Sequence, residues 1–126
     1  MIFLRKSDIV TLHRLLIDEF GGAHGFLNEG ALESALVAAE NRHYYEQADP
    51  ATLAATYAFH LTQAHAFVDG NKRVGVGALD LFLELNARDV EATEDELHDL
   101  IMGIADGRHS RADVEIWLQP RLRPLG

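Results

Sequence analysis

His65, Asp69, Asn71, Lys72 and Arg73 stand within the nine residues HAFVDGNKR, and these residue types together suit phosphate chemistry. An imidazole titrates near neutrality and can take a proton from an attacking hydroxyl. Gly70 permits backbone conformations that other residues resist and lets a ligand come close. A helix that starts at Asn71 has free N–H groups in its first turn, with the positive end of the helix dipole behind them, and so forms an anion site. Asn71, Lys72 and Arg73 add side-chain donors there. The guanidinium can hold phosphate oxygens in pairs, whereas the ammonium acts as a movable point charge. Asp69 alone would repel phosphate. A magnesium ion removes the conflict, because Mg²⁺ is often held by one or two carboxylates together with substrate phosphates. The loop therefore points to a nucleotide–Mg²⁺ complex rather than free phosphate. Phe67 is expected to face inward and anchor the loop. Taken alone, DGNKR also reads as an ordinary turn into a basic helix start, and His65 as a helix-end cap. The full nine-residue pattern argues for catalysis.

The elements that must hold this loop are helical. Ser7 is a good N-cap with Asp8 in the first turn, and Ile9, Leu12, Leu16 and Phe20 mark a core face for a first helix. Gly21, Gly22 and Gly25 break it. A second helix begins near Asn28, with Leu32, Ala35, Leu36 and Ala39 as its buried stripe. Asp49 and Pro50 read as N-cap and first helical residue of a third helix, which runs to about His65 with Leu53, Ala54, Tyr57, Ala58 and Leu61 inward. A fourth runs from Asn71 to about Asn86, with Val74, Ala78, Leu81, Phe82 and Leu85 inward. Thr93 with Glu96 forms a capping box for a fifth helix, whose core face is Leu97, Leu100, Ile101 and Ile104. Ser110 with Asp113 opens a last helix through Trp117, stopped by Pro120. Met1 to Leu4 and Asp89 to Glu91 are candidate short extended pieces. The expected fold is all-α: one domain over residues 1–126, a bundle of about six helices with the motif loop between the third and fourth.

Composition narrows the function. With 48% hydrophobic residues, the 126-residue chain can bury a real core. The absence of cysteine excludes disulfides, thiolate metal sites and a cysteine nucleophile. The formal net charge of −9, from 20 acidic and 11 basic residues, disfavours direct binding to nucleic acid or to an anionic membrane. No apolar run is long enough to span a bilayer, and MIFLRKSDIV lacks the apolar core of a signal peptide, so a soluble cytoplasmic protein is expected.

HAFVDGNKR resembles the signature of the Fic/Doc superfamily, HxFx(D/E)GN(G/K)RxxR, and matches every specified position through Arg73. It departs where the second arginine would stand, at Val76, and it carries Lys72 where typical Fic enzymes have glycine. Both departures resemble the Doc branch, as do the short length and the segment GGAHGFLNEGALESAL. The resemblance implies an ATP- and Mg²⁺-dependent enzyme. Fic proteins move AMP from ATP to a protein hydroxyl, whereas Doc toxins move the terminal phosphate to a threonine of translation factor Tu and arrest protein synthesis. By resemblance, His65 is the base, Asp69 supports the metal, and Gly70, Asn71, Lys72 and Arg73 hold phosphate. No full match to the inhibitory helix (S/T)xxxE(G/N) is found, since Leu36 precedes Glu40-Asn41 and Gly25 precedes Glu29-Gly30 at the Ser/Thr position. Inhibition in trans by the helical C-terminal segment of a Phd-like antitoxin is thus implied. A Fic-type AMP transferase and a non-catalytic module that keeps the motif as a fold element are the alternatives.

The remaining polar and aromatic residues read more plainly. His13, His24, His43, His60, His98 and His109 match no zinc motif such as HExxH. Tyr44 and Tyr45 are expected to pack, Trp117 to anchor the core, TEDELHD to be a solvated helix start and the tail RLRPLG a solvated end. Gly75 and Gly77, costly inside a helix, admit two readings: close packing against a neighbour, or room for a nucleotide.

Overall fold

The third helix, α3 (Pro50–Gln63), is the axis of the molecule. Asp49 caps it by accepting the Thr52 N–H at 2.8 Å, and Pro50 occupies the first turn, where no N–H is needed. Ala51, Leu53, Ala54, Ala55, Tyr57, Ala58 and Leu61 are all buried, so the helix is covered on every side rather than along one stripe. Around it stand α1 (Lys6–Phe20), α2 (Glu29–Glu46), α4 (Asn71–Leu85), α5 (Glu94–Ala105) and α6 (Arg111–Leu118). α3 packs on α2, α4, α5 and α6, and its alanines let those neighbours close in. The computed structural model describes residues 1–125, and one buried apolar cluster joins all six helices.

The expected caps at Asn28, Asp49, Thr93 and Ser110 are all present, and both Thr93–Glu96 and Ser110–Asp113 form reciprocal boxes. The start of α1 differs. It begins at Lys6, and the Asp8 carboxylate accepts the Arg5 N–H at 2.8 Å, so Ser7 lies inside the first turn. Its buried stripe is Ile9, His13 and Ile17 rather than Ile9, Leu12, Leu16 and Phe20. Leu12 and Leu16 are partly buried and Phe20 is 54% exposed, because that face turns toward α4 and the motif loop. In α4, Leu79 and Leu83 are buried, whereas Leu81 is half-buried and Leu85 exposed.

Both glycines of α4 sit at close helix contacts. A Cβ on Gly75 would collide with Thr62 Oγ1 of α3, and one on Gly77 would meet Leu12 Cδ2 of α1 at 3.0 Å. Close packing is therefore the reason for Gly75. Gly77 also borders the cavity described below, so both readings apply there.

Of the two expected extended pieces, Asp89 to Glu91 forms a strand one residue earlier, and Met1 to Leu4 does not. Strand β1 (Arg88–Val90) pairs antiparallel with β2 (Leu122–Pro124), so the tail is a paired edge rather than a solvated end; its final glycine lies outside the described residues. Arg123 reaches Asp89 at 3.0 Å across the ladder. Met1 to Leu4 forms no ladder. It is fastened instead by the Ile2 N–H to the Asn86 side chain at 2.7 Å and the Leu4 N–H to the Tyr57 hydroxyl at 3.1 Å. Tyr44 and Tyr45 point outward, 71% and 85% exposed, against the expectation of packing. Trp117 sits at the margin of the core, under the Arg121 guanidinium at 4.1 Å, whereas Val114 and Leu118 anchor α6.

Candidate active site

The motif loop starts two residues earlier than its sequence suggests. α3 stops at Gln63, and His65 lies outside the helix with φ of 48°, a left-handed conformation that non-glycine residues resist. That turn leaves the imidazole exposed. Gly70, with φ of 83°, is the N-cap of α4 and makes the second sharp turn. The first intrahelical bond of α4 is Val74 N–H to Gly70 C=O at 2.9 Å. The N–H groups of Asn71, Lys72 and Arg73 precede it and are the free donors of the first turn.

The Asn71 side chain is turned back into the loop. Its oxygen accepts the Phe67 N–H at 3.1 Å and its nitrogen donates to the Phe67 C=O at 2.9 Å. The phosphate-site role expected of Asn71 thus falls chiefly to its backbone N–H, while its amide clamps the loop. Lys72 is exposed, and neither Lys72 nor Arg73 forms an ion pair among the described residues. The Arg73 guanidinium lies 4.6 Å from the centre of the Phe20 ring, which steers it without neutralising it.

Phe67 is buried as expected, and two aromatic residues hold it there. The His13 ring stacks on it at 3.8 Å and 9°, and Phe26 stacks at 5.2 Å. Phe26 and Phe67 also form an antiparallel β-bridge: Leu27 N–H donates to Ala66 C=O at 2.8 Å, and Val68 N–H to Gly25 C=O at 3.1 Å. The glycine-rich segment after α1 is therefore a strap across the motif loop. It also reaches the metal candidate, because the Ala23 N–H donates to Asp69 Oδ2 at 2.7 Å. Among the described residues Asp69 Oδ1 has no hydrogen-bond partner, which leaves it open to a cation.

His65, Asp69, Gly70, Asn71, Lys72 and Arg73 all border one cavity of about 860 Å³. Its near wall includes Leu16, Phe20, Val76 and Gly77, and its far wall comes from α5: Glu94, Asp95, Leu97, His98, Ile101, Met102 and Ala105. Asp80, two turns beyond Arg73 on α4, lies at the same cavity, and burial together with Glu84 and Asp89 pushes its carboxyl up to about 6. Among the described residues no group of three or more His, Asp or Glu side chains could hold a metal by itself. A single carboxylate oxygen beside anion donors nevertheless suits Mg²⁺, which takes its other ligands from phosphate and water.

Three elements of the site were missed in the sequence. Phe20 is expected in the core, His13 matches no metal motif, and the α5 wall reads as a solvated start at TEDELHD followed by the core residue Ile101. The spacing Ile9–His13–Ile17 carries the signal for His13, since a histidine in step with two buried isoleucines belongs to the same face.

A helical bundle with an imidazole, a carboxylate and a helix N-terminus on one short loop defines the class. The sequence model of the Fic/DOC family matches residues 3–83, and the chain belongs to that family. It is similar to the "Protein kinase doc" of Escherichia phage P1, at 31% identity over 115 residues, which cover 90% of each chain. No helix among the described residues is long and apolar enough to cross a membrane.

Proposed function

We propose that this protein transfers the terminal phosphate of ATP to a serine or threonine hydroxyl of a protein, in the manner of a Doc-type toxin that phosphorylates translation factor Tu and halts translation. One observation carries the reading: His65, the free oxygen of Asp69 and the open N–H groups of α4 with Lys72 and Arg73 border one cavity of about 860 Å³. That volume suits a nucleotide. Similarity to the phage P1 protein supports phosphate transfer over AMP transfer. So does Val76, which leaves the cavity without a second arginine to grip the polyphosphate.

In this reading the α4 N-terminus, Lys72 and Arg73 bind the transferring phosphate and neutralise its oxygens, which is most of what such a reaction asks of a protein. Mg²⁺, held by Asp69 and the phosphates, would supply further charge neutralisation. The His65 imidazole takes the proton from the attacking hydroxyl. That oxygen bonds to the terminal phosphorus, the bond from phosphorus to the bridging oxygen breaks, and ADP leaves. A helical C-terminal segment of a Phd-like antitoxin would inhibit from outside by lying in a groove of the bundle.

Purified protein is mixed with translation factor Tu and ATP labelled in either the terminal or the α-phosphate. Label on the factor from the terminal position alone is the expected result, and it disappears with His65→Ala. Label from the α-phosphate alone replaces this reading by AMP transfer. No transfer of either label, with His65→Ala keeping full toxicity, leaves a binding module.

A further inference from the structure

The buried histidine of α1 has no part in the chemistry just described, yet it holds the motif loop by two separate contacts. His13 is 4% exposed. Its ring stacks face to face on Phe67 at 3.8 Å, and its Nε2 lies 2.8 Å from the Asp69 carbonyl oxygen. A carbonyl only accepts, so Nε2 must carry the proton. The same ring edge closes over Gly70, where an added Cβ would meet His13 Cδ2 at 3.6 Å.

The peptide it grips is the one best able to turn over. The unit between Asp69 and Gly70 is followed by a glycine with φ of 83°. Glycine populates positive and negative φ about equally, so rotating this peptide between its two turn forms meets no Cβ barrier on that side. In a trans peptide the C=O and the following N–H point in opposite directions. Holding the Asp69 carbonyl toward α1 therefore aims the Gly70 N–H away from it, and it also fixes the backbone from which the Asp69 carboxylate projects. The other tie on Asp69, the Ala23 N–H at 2.7 Å, restrains one carboxylate oxygen but not the peptide.

We propose that His13 is a positioning residue for metal–nucleotide binding: its Nε2–H locks the Asp69–Gly70 peptide in the orientation that presents Asp69 Oδ1 and the α4 N-terminus to one ligand. This rests on the phosphate-transfer reading of the site. The imidazole supplies two functions, a flat face for Phe67 and a donor for Asp69, and substitutions separate them. His13→Phe keeps the face and removes the donor. His13→Gln keeps a donor of similar reach and removes the face.

The test uses the full chain and a non-hydrolysable ATP analogue, with binding measured by calorimetry with and without Mg²⁺. His13→Phe should melt near wild type yet lose about tenfold to a hundredfold of the Mg²⁺-dependent gain in affinity, the usual cost of removing an outer partner of a metal ligand. His13→Gln should recover part of that gain. An unchanged Mg²⁺ effect in His13→Phe overturns the proposal, as does a His13→Gln variant no better than His13→Phe at equal folded fraction. Nitrogen NMR of the wild-type imidazole gives a second reading that needs no variant. A ring carrying a proton at Nε2 is expected, and one protonated only at Nδ1 overturns the proposal. If the wild-type protein binds no Mg²⁺–analogue complex, the phosphate-transfer reading itself fails, whatever the tautomer.

Discussion

His65 occupies a left-handed conformation that costs an L-residue roughly 1 kcal/mol, and it does so with its side chain exposed at the cavity. The strain has a use, since the turn it makes takes the imidazole off the end of α3 and sets it beside the phosphate cradle. Stability and activity should then separate at this position. His65→Gly is expected to melt at or slightly above the wild-type temperature, with a gain of about 0.5 kcal/mol after glycine's extra unfolded-state entropy is counted. The same variant should lose about 10²-fold or more in transfer rate. Thermal melting beside the labelled-phosphate assay checks both. A large loss of stability in His65→Gly would mean that the imidazole is a packing group. At this scale the sequence was legible in placement, since His65 and Asp69 do border one cavity as their spacing implies. It was misleading where a side chain is used up locally, as for the Asn71 amide bonded to Phe67. Nothing in the motif's composition reveals which hydrogen bonds are already satisfied.

Helix contacts set the spacing of the site walls. α3 and α4 approach so closely at Gly75 that no Cβ fits beside Thr62 Oγ1, a buried hydroxyl with no hydrogen-bond partner. Threonine is stiff at χ1 and cannot swing away. Gly75→Ala should therefore cost about 1–3 kcal/mol through overpacking, despite the better helix propensity of alanine. Thr62→Ala removes an unsatisfied polar atom and should be nearly neutral. The double variant should regain most of the loss, a non-additivity that denaturant melts of the four proteins would measure. Additive effects would place the strain elsewhere. Helix starts were readable from Asn28, Asp49, Thr93 and Ser110 because a cap is a local device. The end of α3 and the face of α1 were not, because both are decided by partners far along the chain: the Phe26 strap for the first, α4 and the loop for the second.

The whole molecule carries a net charge of −9, and one of its acids stands out. Asp80 is half-buried at the cavity and in no ion pair among the described residues, with its carboxyl pushed up to about 6 by burial and by Glu84 and Asp89. A carboxyl that titrates higher folded than unfolded holds its proton longer in the native state. Its penalty is absent below the usual carboxylate range, grows as pH rises and is complete above about 6. Asp80→Asn should therefore stabilise the protein at pH 7.5, by about 1 kcal/mol after allowance for solvent screening. The gain should vanish near pH 4, and a pH series of denaturant midpoints decides it. A gain that persists at pH 4 would assign the effect to packing rather than charge. The family match ends at residue 83, yet seven of the cavity's lining residues come from α5 beyond it.

That far wall packs on α3 and α4, and just before it in the chain stands the β1–β2 ladder, in which Val90 pairs with Leu122. A ribosome makes a chain from its N-terminus, so His13, the strap and the motif are synthesised well before residues 122–124. The β1–β2 ladder cannot form until they emerge. A growing chain can thus carry the whole motif loop, from His65 to Arg73, while the strand that completes its only two-stranded ladder among the described residues is still unmade.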